Sequence, residues 1–422
     1  MSESATVLRA SVLDRVLEDF RSLTAELPSE DATRATRAAA RLGELGWPSA
    51  RDEQWRYTNL RAFDRIAGFR PGPAARPQSA AMELPPALPG FERIVFVDGR
   101  HASGTHPALT GQPKGSSTAW PPEQRLGLLT DMFAGDSARL AVRGEAAIEL
   151  LFVSTNRGAS YPRLELRLEA DSRLRLVERH LGCPSGGASV ASLVACGLIL
   201  ELAQDSELTH FRLQQCDRHC VFTDTVAARL QERARYLVRS VAVGASSART
   251  SANIELAGRG ASLAWASIAA GRGEQVHDVA LKVRHVAPET ATEELFRGIA
   301  DERARVAFSG HIQIESTAPG SQARQSLRGL IEGSAEIDLR PRLEILTDDV
   351  RASHGATTGR LDEELLFYLL ARGIDRPTAR SLLKWAFLGD VLRQIEQPAL
   401  RAEAERLAAG QLPDVPQLGA LS

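Results

Sequence analysis

The chain has 422 residues, 43% of them hydrophobic and 25% charged, with a net charge of −2. That balance describes an ordinary soluble protein long enough for two or three folding units, and it excludes a broad basic footprint for nucleic acid. No run approaches the ~18 uninterrupted apolar residues of a membrane span, so no membrane association is expected.

The first residues carry acids and no apolar leader core, so no secretory leader is expected. Residues 7–23 read as an amphipathic helix, because Val12, Leu13, Val16, Leu17 and Phe20 recur at three- and four-residue spacing. A second helix is predicted over 31–45, ended by Gly46 and Pro48. The element EQWRYTNL follows at 53–60, with Trp55, Leu60 and Phe63 as anchors, and Trp55 and Tyr57 are expected to pack against the next domain. Residues 71–90 hold six prolines among Ala and Gly and read as a linker.

Residues 91–97 alternate as a strand and end at the turn signal Asp98-Gly99. Residues 101–122 read as a loop, with His101 and His106 as solvated side chains. From 147 to 345, short apolar alternations recur between polar or glycine turns, such as Leu164, Leu166, Leu168 and Val279, Leu281, Val283. Residues 292–299 read equally as helix or strand. Many short strands suggest a sandwich, barrel or β-solenoid, and the irregular spacing alone does not choose among them.

The stretch 348–387 organises the C-terminal end. A strand over 343–347 runs into paired acids, then a small-residue loop, Ser353 to Thr357, with His354 in it. Two helices follow. Asp362 and Asp375 are placed as N-caps, Gly373 as the first helix's C′ stop, and Pro377 lies in the second helix's first turn. A further short helix is expected over 398–406, and an irregular tail from Gly410.

The run DDV-x-x-SHGAT-x-G-x-LDEE-x-LFYL-x-x-RGI, followed by A-x-x-LL-x-x-AF, resembles the C-terminal signature of the SufB/SufD family, scaffold proteins of the SUF iron–sulfur cluster assembly system. The element W-R-Y-T-x-L at 55–60 is similar to that family's N-terminal motif. His-Gly-Ala-Thr followed by Leu-Asp-Glu-Glu resembles the SufD branch, where SufB-like chains carry His-Glu-Ala-Thr and Ile-Ser-Glu-Asp. The resemblance implies a mainly β fold, a right-handed parallel β-helix core over 91–358. Helical domains are expected over 1–70 and 359–422. It also implies a cytoplasmic, non-catalytic scaffold that pairs with SufB through the core and docks the SufC ATPase through the C-terminal helices, with a desulfurase system acting indirectly as sulfur donor.

No resident cofactor is expected in the isolated chain. The resemblance implies a transient iron–sulfur cluster at the SufB interface with His354 as a ligand, since a neutral imidazole suits iron. Many relatives carry a cysteine two positions before this histidine, where this chain has Ala352, and no cysteine follows Cys220. Cluster thiolates must therefore come from a partner. The partner-binding candidates on the helices are Phe367, Tyr368, Leu382, Leu383, Trp385 and Phe387, with Trp385 and Lys384 off the apolar stripe.

The four cysteines, Cys183, Cys196, Cys216 and Cys220, lie mid-chain in no disulfide framework, which fits a reducing cytoplasm. Cys216 and Cys220 read as thiols on one face of a strand, chiefly buried; a metal role for them stays open. A Walker A loop is absent, and Gly258-Arg259-Gly260 and Gly271-Arg272-Gly273 read as turns. Two alternatives remain: a SufB-like homodimeric scaffold, and a β-solenoid polysaccharide-active enzyme using Asp348 and Asp349.

Overall fold

The computed structural model describes residues 10–24, 29–72, 84–110, 120–135, 137–155, 158–182 and 191–411. Cys183, the middle of the expected linker and the tail beyond 411 lie outside them. The core is a parallel β-solenoid of two facing sheets. One stacks Glu145–Ser154, Arg173–Gly182, Glu207–Gln215, Arg235–Ala242, Ser262–Gly271, Ala291–Ala300, Ser321–Ile331 and Val350–Gly359. The other stacks Ser137–Val142, Arg163–Leu168, Ser192–Leu202, Cys220–Leu230, Ser247–Leu256, Val276–His285, Arg305–Ile314 and Glu336–Ile345. The ambiguous segment 292–299 is strand, because its lumen-facing positions stack in register on the strands before and after it.

Side chains of one parity point into the lumen between the sheets. Leu174, Leu208, Tyr236 and Leu263 form one such column, each opposite the next in register. Leu198, Leu200 and Leu202 face them from the second sheet, and the apolar residues of the lumen form one buried cluster. Burying a side chain of this size contributes about 1.5–3 kcal/mol.

Helices cover the outer faces. Val12–Thr24 (α1), Ser29–Leu45 (α2) and Gly127–Phe133 (α3) lie on the second sheet. There Val16, Phe20, Leu42, Leu129 and Phe133 pack against Leu193, Ala195 and Ile199. Helix α3 belongs to this layer although it falls inside the stretch read as solenoid core. The strand Ser192–Leu202 is thus buried on both faces, which accounts for its near-continuous apolar run. Glu363–Ala371 (α4), Arg376–Leu392 (α5) and Pro398–Ala409 (α6) follow the last rung. Helices α5 and α6 pack on the first sheet through Leu388, Val391, Leu392 and Leu407.

The expected caps are in place. Asp362 Oδ1 accepts from the Glu364 and Leu365 amides at 2.9 and 3.2 Å, and Asp375 Oδ1 from the Thr378 amide at 3.0 Å. Gly373 sits at φ +81°, the left-handed conformation that ends α4. The stretch read as a loop from residue 101 opens instead with the strand Arg100–Ser103, which the turn at Asp98-Gly99 folds back onto Glu92–Val97.

The Trp55 element is the bolt between the N-terminal helices and the solenoid. Trp55 is 1% exposed, and the Arg249 guanidinium lies 3.9 Å from its ring centroid. Arg249 also pairs with the buried Asp278 and donates to Thr58 Oγ1 at 2.8 Å, while Thr58 donates to Asp278 at 2.6 Å. Arg340 adds a contact to Tyr57 and an ion pair with Glu53. Replacing Arg249 by Ala should leave Asp278 buried with its charge unmatched and cost about 3–5 kcal/mol. Urea unfolding of the purified chain measures this, and a loss under about 1 kcal/mol would show that the bolt does not depend on the ion pair.

Candidate functional site

The two ends of the solenoid differ. At the N-terminal end the first sheet closes with the four-residue antiparallel strand Arg100–Ser103, and the second with the two-residue Leu109–Thr110. Short antiparallel strands blunt an edge. At the C-terminal end each sheet stops at a ten-residue strand, Glu336–Ile345 or Val350–Gly359, with no further strand beside it among the described residues. Pro341 removes one donor from the first of these, a substitution that sheets tolerate at an edge. Val350–Gly359 has neither proline nor lysine to protect it.

His354 lies in the middle of Val350–Gly359, and the passage read as a loop, Ser353 to Thr357, is therefore strand. Its small polar residues give no strand signal of their own. The backbone of Ser321–Ile331 templates it, residue by residue. Val350 and Ala352 pack against the luminal cluster, so His354, in the same phase, ends a luminal column that runs Trp265, Glu294, Gln325, His354. His354 itself is exposed because its rung is the last.

Behind it the lumen turns polar. Gln325 Nε2 donates to Glu294 Oε2 at 2.9 Å, and both side chains are buried. Gly310 on the facing sheet makes room for them. A Cβ there would come 2.4 Å from Glu294 Oε2 and 2.6 Å from Gln325 Nε2. Burial pushes the Glu294 carboxyl up to about 8, against a smaller pull downward from the Gln325 amide. Gln325 Oε1 has no hydrogen-bond partner in the structure.

The C-terminal helices supply a second surface. Phe367 is 71% exposed, Tyr368 53% and Leu365 52%, all on α4, while Leu366 is its buried side. The apolar residues of α4 exceed one helical stripe, and its contact with α5 covers only part of them. Leu382, Leu383, Trp385 and Phe387 are half-buried, and the last three pack against the cluster under α5. Trp385 therefore belongs to the packing on the first sheet. Lys384 is 4% exposed and ion-paired to Glu332, also buried, with Asp301 at 3.9 Å. Tertiary pairing, invisible in helical phase, drew it inward.

Cys216 and Cys220 do not share a strand. Cys216 follows Glu207–Gln215 and Cys220 opens Cys220–Leu230, so they meet across a corner between the two sheets. Both are buried with Val194, Phe222, Ala245 and Ala248. Asp348 and Asp349 sit exposed in the turn between the last two strands. The luminal polar groups were missed from sequence, although a signal existed: Glu178 and His180 keep the phase of Leu174 and Leu176, and Glu294 that of Phe296.

Residues 151–387 match the family model described as the SUF system FeS cluster assembly SufBD core domain. The chain is 27% identical to the iron–sulfur cluster assembly SufBD family protein slr0076 of Synechocystis, over 92% of this chain and 93% of that one. It is 26% identical to the iron–sulfur cluster assembly protein SufD of Escherichia coli, over 91% and 95%. It is also 26% identical to the SufBD family protein Rv1462 of Mycobacterium tuberculosis, over 86% and 88%.

Glu294 makes stability depend on pH in a stated direction. Its ordinary value is 4.5 and its folded value about 8. Between them the native chain holds a proton that the unfolded chain has released. That contribution is complete below pH 4.5 and is lost as pH rises through about 8, at up to ~1.4 kcal/mol per pH unit. The isosteric Glu294→Gln should remove this slope, so the variant gains on wild type between pH 5 and 8 in guanidinium unfolding. Parallel pH profiles would refute the assignment.

Proposed function

Because the chain belongs to the SufBD family of SUF-system iron–sulfur cluster assembly proteins, we propose that it is a non-catalytic SufD-type scaffold subunit. It acts in the cytoplasm in a complex with a SufB-type partner and a SufC-type ATPase. The observation that carries this reading is the unprotected C-terminal edge, a ten-residue strand with His354 on its luminal column. An exposed parallel edge offers unpaired amides and carbonyls that a second strand completes. Pairing there with SufB would bring His354 against the partner and out of bulk water.

The iron–sulfur cluster is the cargo. His354 offers it a neutral imidazole nitrogen, a borderline ligand suited to iron. The thiolates come from the partner, since no cysteine follows Cys220 in this chain. Gln325, next on the column, is the outer-shell group: its free Oε1 can accept the ring N–H and so direct the other nitrogen outward. The helix α4 supports ATPase docking, because it exposes the large apolar side chains Leu365, Phe367 and Tyr368 on the helix that follows the last strand. Aromatic anchors of this kind dominate interface energetics. Among the described residues, no helix is long and apolar enough to cross a membrane.

His354→Ala should lower the iron and sulfide content of the co-expressed complex severalfold while its subunits still co-elute in gel filtration. The side chain is exposed, so its loss leaves no core cavity. Normal iron content, or a complex that falls apart, would reduce His354 to a structural residue. For docking, the double variant Phe367→Ala/Tyr368→Ala should weaken capture of the ATPase by about 30-fold or more and leave the chain's own melting temperature unchanged. Removing α5 and α6 instead would strip the cover from the first sheet. Unaltered ATPase affinity in the double variant would move the docking site elsewhere.

A further inference from the structure

A second polar group lies deeper in the lumen, several rungs from His354. The column Glu178, Arg212, Ser240, Ser267 on the first sheet faces Cys196, Asp224, Thr250 on the second. His180 and His210 flank it. Glu178, His180, Cys196, His210, Arg212 and Asp224 are each at most 5% exposed.

Glu178 is the hub. Its Oε1 lies 2.5 Å from His180 Nε2 and 3.8 Å from Cys196 Sγ, and His210 Nε2 is 3.0 Å from its Oε2. Arg212 donates to both oxygens at 3.1 Å and reaches Asp224 at 2.7 Å. Two carboxylates thus share one guanidinium, and one negative charge is left over in a dry lumen. Burial there is costly unless that charge is matched. His180 Nδ1 and Asp224 Oδ1 are buried without a hydrogen-bond partner, beside a cavity of about 20 Å³ lined also by Gln214, Thr250 and His277.

We propose that Glu178, His180 and Cys196 form a buried three-ligand site for a borderline-soft divalent transition-metal ion. Their ligand atoms all lie within 4.8 Å of one another. A tetrahedral ion with sulfur at about 2.3 Å and nitrogen or oxygen at about 2.0 Å needs those atoms roughly 3.2–3.6 Å apart. Two of the three separations are 2.5 and 3.8 Å, and the third is within 4.8 Å, so side-chain shifts of about 1 Å bring the three atoms to that spacing. One thiolate, one imidazole and one carboxylate is a donor set for such an ion rather than for calcium or magnesium.

Charge closes as well. On binding, the Cys196 S–H bond breaks, its proton leaves to solvent, and the sulfur lone pair forms the metal bond. The thiolate and the Glu178 carboxylate then match the two charges of the ion, and Arg212 stays matched by Asp224. Such an ion ties the two sheets together where apolar packing is interrupted. The site is independent of His354 and of any partner.

The test uses the full-length purified chain, stripped by chelator, loaded with Co²⁺ and gel-filtered. Wild type should retain stoichiometric cobalt with a thiolate-to-cobalt absorption band in the near ultraviolet, and Zn²⁺ should erase the band. Cys196→Ser should abolish the band and lower Co²⁺ affinity by about 100-fold or more. The double variant Cys216→Ser/Cys220→Ser should keep both. If Cys196→Ser does not fold, His180→Gln, which retains the thiol, should show the same loss of affinity. Wild type that elutes without cobalt, a band that survives Cys196→Ser, or unchanged affinity in His180→Gln would each overturn the site.

Discussion

The hydrogen-bonding edge of a parallel sheet is the constraint on which this molecule depends. Every rung satisfies its backbone on the rung before and the rung after, so the two terminal rungs are left half-satisfied. At one end the chain turns antiparallel and closes with strands of four and two residues. At the other it stops with two ten-residue edges. Among the described residues no further strand completes the longer pair, and the exposed histidine and the exposed aromatic helix both belong to that end of the sequence.

The helices fix which faces remain available. Both outer sheet surfaces are covered, one by α1 to α3 and the Trp55 element, the other by α5 and α6. Each cover is pinned by polar contacts with the solenoid: Thr58 with the Arg249–Asp278 pair on one side, and the ion pairs Arg297 with Asp390, Arg179 with Glu403 and Lys384 with Glu332 on the other. Such pairs add little net stability over apolar contacts, but breaking one is costly, so they set register more than they add strength. With both faces covered, the rim and α4 are what the solenoid can offer to partners.

The lumen carries the remaining information. Most of its positions are Leu, Ile, Val and Phe, as close packing between facing sheets demands. Polar residues break that rule in several places, two of them around Glu178 and around Glu294. An apolar side chain at either place would cost nothing in desolvation, so a stability argument does not account for them. They read better as chemistry held inside a rigid tube. One lies beneath the rim that carries His354, and the other bridges the two sheets where a leucine stack would otherwise continue.

Much of this was legible in the chain alone. Period-two alternation located the strands, three- and four-residue spacing the helices, and Asp362, Asp375 and Gly373 their ends, because each of these is decided by the backbone within a few residues. The Trp55 element and the stretch around His354 were visible as motifs. What local pattern did not decide was every feature set by a neighbour distant in sequence. Ser353 to Thr357 became a strand because Ser321–Ile331 offered it an edge. Lys384 turned inward because Glu332 was there to meet it, and Leu365 outward because α5 covered only one side of α4. The luminal meeting of Glu178, His180 and Cys196 joins strands of opposite sheets. Sequence determines phase along a strand, whereas which phases face each other across the lumen is settled only when the rungs stack.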